Sequence, residues 1–284
     1  MSIWDVLARN GKELIEHAAR RLQFHLPTDP VPRPWLDILA RNVPLARGLT
    51  PDDQERLLRV ARLLLDEVPF EGCAGVEITD EIRVTIAATA ALLIHRLPYP
   101  RFTKLVRVLV YPDTFLPVRA WSRHDVSVEE PDATLGQAWM SGVVVLSWSA
   151  VQRDVTSAAS GNVVLHEMAH ILDAEDGIFD GQPVHDDPGQ GEHWAATLQR
   201  EFAVQRAAVD AGEGAPLSDY AARNHAEFFA VATEAFFCTP DRLRARLPEL
   251  YLELARFFRE DPSAPERRSR TRMSPSIAPV AVRS

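Results

Sequence analysis

The sequence predicts an α+β fold, mainly helical with a small mixed β-sheet, and two observations carry that prediction. Apolar residues recur at helical spacing through most of the chain, and two short stretches are β-branched runs bounded by turn residues. Thr50-Pro51-Asp52-Asp53 reads as an N-cap followed by proline at the first helical position, and Leu57, Leu58, Val60, Ala61, Leu64 and Leu65 continue it. Thr79-Asp80-Glu81 opens a second strongly apolar helix through Ile86, Ala87, Leu92, Leu93 and Ile94. Residues 1–25 can form an amphipathic helix, which Pro27, Pro30, Pro32 and Pro34 stop. The strands are Leu105–Tyr111 and Gly142–Trp148. The second suits an edge strand near the helix that follows, where an extended peptide could pair with it, and equally suits a core strand without a ligand.

Length and composition set broad limits. A chain of 284 residues that is 46% hydrophobic can build a sizeable core. Its net charge of −9 disfavours nonspecific binding to nucleic acid or to an anionic membrane surface. No apolar run reaches transmembrane length, and residues 1–23 lack the continuous apolar core of a secretory signal, so a cytoplasmic location is expected. Cys73 and Cys238 have no CxxC neighbour and are expected as buried thiols in a reducing compartment. After Asp261 the chain becomes rich in Arg, Ser and Pro without periodicity, which predicts a disordered tail over 262–284.

The most informative stretch is Leu165-His166-Glu167-Met168-Ala169-His170. On a helix, histidines four apart share a face with Cβ atoms roughly 5–6 Å apart. That spacing lets both imidazoles reach one metal ion at about 2.0–2.1 Å, and Glu167 between them can serve a metal-activated water as general base. Apolar neighbours on both sides, Val163, Val164, Leu165, Ile171 and Leu172, indicate a buried helix that turns a few functional groups into a cleft.

A catalytic zinc site needs a third protein ligand. The candidates downstream are Asp173, Asp176, His185, His193, His225, Glu227 and Glu234. Asp176 sits where one peptidase family places its third ligand, yet Asp173 occupies the position where that family turns the chain with glycine. Asp173 is better suited to hold a histidine tautomer, or to be a solvated acid at a helix end. His185 and His193 flank the loop Asp186-Asp187-Pro188-Gly189 and read as surface residues. The stretch from Asn224 to Phe237 is a helix rich in Ala, Phe and Val that nevertheless carries Glu227 and Glu234. Buried glutamates need partners, so Glu227 is the natural third ligand, with Glu234 as an acceptor for an imidazole N–H. Glu227 also fits as the capping-box partner of Asn224, and Glu234 as one end of a half-exposed salt bridge. Tyr220, in a loop seven residues before Glu227, could donate to an oxyanion or simply pack.

Together these residues resemble the Mlc titration factor A family of zinc-dependent peptidases, related in its catalytic domain to anthrax lethal factor. HEMAHILD is followed by a glutamate in AEFFAVATEAFF, with a tyrosine seven residues before that glutamate. Gln137-Ala138-Trp139, Gly142–Trp148, Asn162–Leu165, Phe70–Cys73 and Pro44 look like the family too. The likeness covers roughly residues 30 to 260. It implies a gluzincin-like zinc metallopeptidase domain at 30–261, made of a helical region 30–100 and a catalytic region 101–261 and preceded by a helix and linker at 1–29. It further implies that His166, His170 and Glu227 bind one Zn2+, that Glu167 is the base and that Tyr220 stabilises the transition state. A cytosolic peptidase of aminopeptidase type on small peptides is expected, and for some members a transcriptional repressor of sugar uptake as partner.

Overall fold

The computed structural model describes residues 26–97, 101–113, 142–157 and 161–273. The expected helix over 1–25, the Gln137-Ala138-Trp139 motif and the end of the tail, 274–284, lie outside the described residues. The described chain opens with helix α1 (Arg33–Asn42), a 3-10 turn (Pro44–Gly48), α2 (Pro51–Glu67), strand β1 (Phe70–Gly72) and α3 (Asp80–Ala91). It continues with β2 (Arg107–Tyr111), β3 (Val143–Ser147), α4 (Trp148–Thr156), α5 (Val163–Asp173) and a 3-10 turn (Ala174–Asp176). The last part holds α6 (Pro188–Asp210), a 3-10 helix (Asp219–Ala222), α7 (His225–Cys238), α8 (Pro240–Arg246), α9 (Pro248–Phe258) and α10 (Pro265–Met273).

Local chemistry explains where these elements begin. The Thr50 side chain accepts from the Asp53 N–H at 3.2 Å and Pro51 follows, so α2 starts with one orphan donor satisfied and another removed. Thr79 caps α3 in the same way through the Ile82 N–H at 3.3 Å. Both helices bury their apolar faces in one continuous core that also takes in the inner residues of β2, β3, α5, α7 and α9. The sheet order is β1-β2-β3, with Phe70 beside Val108 and Val108 beside Val144. Every pairing among the described residues is parallel, so the sheet there is not mixed, and β3 is one of its edges. Parallel neighbours need a crossover, which α3 supplies between β1 and β2. Strand β1 is only three residues long, too short for periodicity to reveal. The cysteines differ from expectation as well: Cys73 and Cys238 are free but half-buried.

The expectation of disorder after Asp261 is corrected over Pro265–Met273, which forms α10. This helix packs on the Pro44–Gly48 turn, where the Arg267 and Arg270 guanidinium groups donate to the Leu45 and Gly48 carbonyls at 3.1 and 2.9 Å. A Cβ on Gly48 would meet Arg267 Cγ at 2.5 Å, so glycine makes the close approach possible. Buried Arg267 also pairs with buried Glu260. The docking therefore relies on backbone carbonyls from a distant part of the chain and on the nearby Glu260 carboxylate, and an apolar stripe of the kind sequence periodicity detects is missing. A cleft of about 440 Å³ between α9, α10 and the start of α2 shares no residue with the histidine motif.

Beside this ion pair lies His95, 1% exposed, donating from Nδ1 to the Leu92 carbonyl at 3.1 Å with Nε2 3.9 Å from Glu260. Burial, aided by the positive charges of Arg96 and Arg267, pushes its pKa down to about 4. A histidine held neutral in the fold but titrating near 6.5 when unfolded contributes stability that is complete above pH 6.5 and is lost as pH falls toward 4. The difference corresponds to about 3 kcal/mol. The stability advantage of wild type over His95→Gln should shrink by about that amount between pH 6.5 and 4 in denaturant titrations; a difference independent of pH would rule the assignment out. Arg267→Met, which strands Glu260, should cost about 3 kcal/mol or more. Unchanged thermal stability in that variant would mean that α10 is not held as described.

Candidate metal centre

The centre is built on two helices whose ends are fixed by side chains. Helix α5 starts at Asn162, whose Oδ1 accepts from the Leu165 N–H at 3.0 Å, while Asp154 takes the Val163 N–H at 2.7 Å. The Asn162 N–H donates to Glu234 Oε2 on α7 at 2.7 Å. Two further orphan donors of the helix start are thereby satisfied by carboxylates, which also complement the positive end of the helix dipole. Glu234 Oε1 lies 2.7 Å from His166 Nδ1, so a single carboxylate fixes both the helix end and an imidazole. Helix α7 is capped by Asn224, which accepts from the Glu227 N–H at 2.9 Å. The capping box is only half formed, because the Glu227 carboxylate turns instead toward the histidines.

Three side-chain atoms converge. His166 Nε2 and His170 Nε2 are 3.2 Å apart, and Glu227 Oε2 lies 3.1 Å from the first and 3.4 Å from the second. Tetrahedral zinc with ligands at about 2.0–2.1 Å separates its ligand atoms by about 3.3–3.4 Å, so this donor set fits such an ion. Glu227 Oε2 is buried and makes no hydrogen bond, an orphaned acceptor that a cation would satisfy. The other oxygen, Oε1, accepts from the Tyr220 hydroxyl at 3.0 Å. Glu167 is 1% exposed and its negative charge acts on the Tyr220 hydroxyl.

The electrostatics follow from burial and proximity. For Glu227, burial works against ionisation, but the two imidazoles outweigh it and hold the carboxyl well below the usual carboxylate range. Burial lowers the His170 pKa, which favours the neutral ring that a metal needs as a ligand. For His166 burial acts the same way, yet the flanking Glu227 and Glu234 carboxylates overcome it and raise the pKa. The Tyr220 phenol is raised by burial and by Glu227 and stays protonated, a donor rather than a phenolate.

The other candidates lie elsewhere. Asp173 is fully buried, but its carboxylate accepts from the Gly181 N–H at 2.9 Å and holds no imidazole of the described residues. Gly181, at φ +78° and with the His225 carbonyl 2.4 Å from where a Cβ would sit, gives its own carbonyl to Trp194 Nε1 at 2.9 Å. Burial pushes Asp173 up to about 7. Asp176 makes a local turn, accepting from the Ile178 N–H at 2.8 Å. His193 is exposed. His225 lies tilted against Phe202, ring centroids 4.2 Å apart. His185, expected at the surface, is half-buried between Trp194 and Phe257 at 5.8 and 5.1 Å.

Sequence reasoning overlooked several neighbours. Phe179 lies 5.1 Å from the His170 ring. Arg223 has its guanidinium carbon 4.6 Å from the Tyr220 ring centroid. Arg101 clamps the loop after α5 by donating to the Val184 carbonyl and to Asp186, both at 2.9 Å, and pairs with Glu175 at 3.5 Å. The N-cap role of Asn162 was legible, since Asn directly precedes the apolar helix. Nothing in local sequence pairs Arg101 with residues more than seventy positions away.

Comparison with known proteins agrees with this geometry. Residues 16–259 match the model of the glucose-regulated metallo-peptidase M90 family. The uncharacterized protein slr2042 of Synechocystis sp. is 33% identical over 239 residues, covering 82% of this chain and 86% of its relative. Mlc titration factor A of Yersinia pestis is 31% identical over 241 residues, covering 82% and 88%, and its Yersinia pseudotuberculosis counterpart matches equally. With the family match spanning residues 16–259 and the donors of a metal site gathered within it, the chain belongs to the glucose-regulated M90 family of metallopeptidases.

Proposed function

We propose that the protein is a zinc-dependent peptidase of gluzincin type, with residues 30–261 as its catalytic unit and small peptides as substrates, cleaved in aminopeptidase fashion. The observation that carries this reading is the mutual spacing of His166 Nε2, His170 Nε2 and Glu227 Oε2, 3.1 to 3.4 Å, with buried Glu167 on the same helix as the histidines. These three residues would hold one Zn2+, which when bound supplies a Lewis acid and a water acidified to a pKa of about 7. Glu167 takes the proton of the attacking water and passes it to the leaving amine. Tyr220, kept protonated by burial, donates to the oxygen on which negative charge develops. Glu234 fixes the orientation of His166 from behind by accepting at Nδ1.

A second role is supported by the name of the Yersinia relatives, Mlc titration factor A, and by the resemblance noted above: capture of a transcriptional repressor, with the zinc site serving the fold. Among the described residues no helix is long and apolar enough to cross a membrane. A cytoplasmic setting is in keeping with such a partner.

Glu167→Gln should retain zinc while lowering kcat on model peptides about 10²–10⁴-fold. Peptide hydrolysis at the wild-type rate in this variant would remove Glu167 as the general base, and retained repressor binding would favour the second role. By metal analysis, Glu227→Ala should lose bound zinc, and Glu234→Gln should bind it about 10–100-fold more weakly. Wild-type zinc content in the Glu227 variant would remove that residue from the ligand set.

A further inference from the structure

The rim of the metal centre carries a cation that the proposed chemistry does not use. Arg223 follows the short helix that holds Tyr220 and is exposed, and its guanidinium lies over the Tyr220 ring at 4.6 Å. The same ring is 5.9 Å from the His166 ring, and its hydroxyl reaches Glu227 at 3.0 Å. Tyr220 thus links the guanidinium to the donor cluster through one aromatic ring.

Arg223 differs from the ion-paired arginines of this molecule and shares its aromatic setting with Arg206 over Phe202 and Arg244 over Tyr251. Arg101 is paired with Glu175 and Asp186, Arg96 with Asp53, Arg107 with Glu71 and Arg267 with Glu260. No carboxylate of the described residues lies within ion-pair distance of Arg223; its contact there is the tyrosine face. The guanidinium carbon sits over the ring, and an exposed arginine there keeps N–H donors to offer a ligand. A planar fork of this kind matches a carboxylate in a bidentate arrangement. At the His170 end Phe179 sets an apolar ring 5.1 Å from the imidazole. The two ends therefore differ in character, and a cation beside Tyr220 repels an ammonium there and attracts an acid.

We propose that Arg223 is a specificity-determining residue that binds a carboxylate of the peptide substrate, either an acidic side chain next to the scissile bond or the free C-terminus of a short peptide. The inference deepens the peptidase reading of the same site and rests on it. Substrate carboxylate and Tyr220 then share one anchored region, so that the acid sets the position of the scissile carbonyl relative to the phenol.

Three matched fluorogenic peptides distinguish the sources: one with Glu beside the scissile bond and an amidated C-terminus, its Gln counterpart, and that counterpart with a free C-terminus. Zinc-loaded wild type should favour one or both carboxylate-bearing peptides over the neutral one. Arg223→Gln should erase that preference through a rise in KM of about 10–100-fold for the favoured peptide, and Arg223→Lys should restore part of it. Fluorescence anisotropy of the same peptides on zinc-loaded Glu167→Gln, with and without Arg223→Gln, reads the preference without turnover. A uniform loss on all three peptides, or a loss confined to kcat, would overturn the proposal and make Arg223 a positioning residue for Tyr220. So would an unaltered preference in the Gln variant. If wild type cleaved none of the peptides while the anisotropy preference still depended on Arg223, the peptidase reading would fail and the carboxylate site would stand.

Discussion

The Glu234 carboxylate is the constraint on which the centre depends. One oxygen takes the backbone N–H at the start of the motif helix and the other faces His166 Nδ1, so the placement of α5 and the orientation of an imidazole are decided by the same group. Helix α7, which carries Glu234, also carries Glu227 two turns earlier. A shift of α7 along α5 would therefore misplace a donor, a helix cap and a ring together. Such shared duty makes the arrangement all-or-none, since no member can relax alone without leaving a buried charge unsatisfied.

The rest of the molecule bears the cost of that charge burial. Glu167, Glu227 and Glu234 are all buried, where an unpaired carboxylate is strongly unfavourable. Each of the two α7 glutamates has a named partner, a phenol, an imidazole or a backbone N–H, and Glu227 Oε2 is the oxygen that a cation would satisfy. The loop after α5 is fastened by the same means, through Asp173 on Gly181 and Arg101 on Asp186. Polar groups in this protein thus act as fasteners between segments that the apolar core packs but does not register.

Much of this could be read in advance, for physical reasons. The apolar spacing of α2 and α3 and their Thr caps are local, as is the four-residue interval between His166 and His170, so all were visible in the sequence. Glutamates in the apolar α7 stood out because burial of an acid demands a partner. What escaped notice was nonlocal. Three-residue β1 exists only because β2 lies beside it, and α10 forms from a stretch whose arginines find carbonyls on a distant segment as well as the nearby Glu260 carboxylate. Asp173 was misjudged for a related reason: its partner is a backbone N–H in a loop whose path no periodicity announces.

Helix α5 alone offers two nitrogens to a metal; the oxygen arrives only when α7 has docked, with the long helix α6 intervening in the chain. An unfolded or half-folded chain therefore presents at most a bidentate, loosely held site. A metal ion held by these three donors would then gauge tertiary completion, binding best to molecules that have already brought the two helices into register.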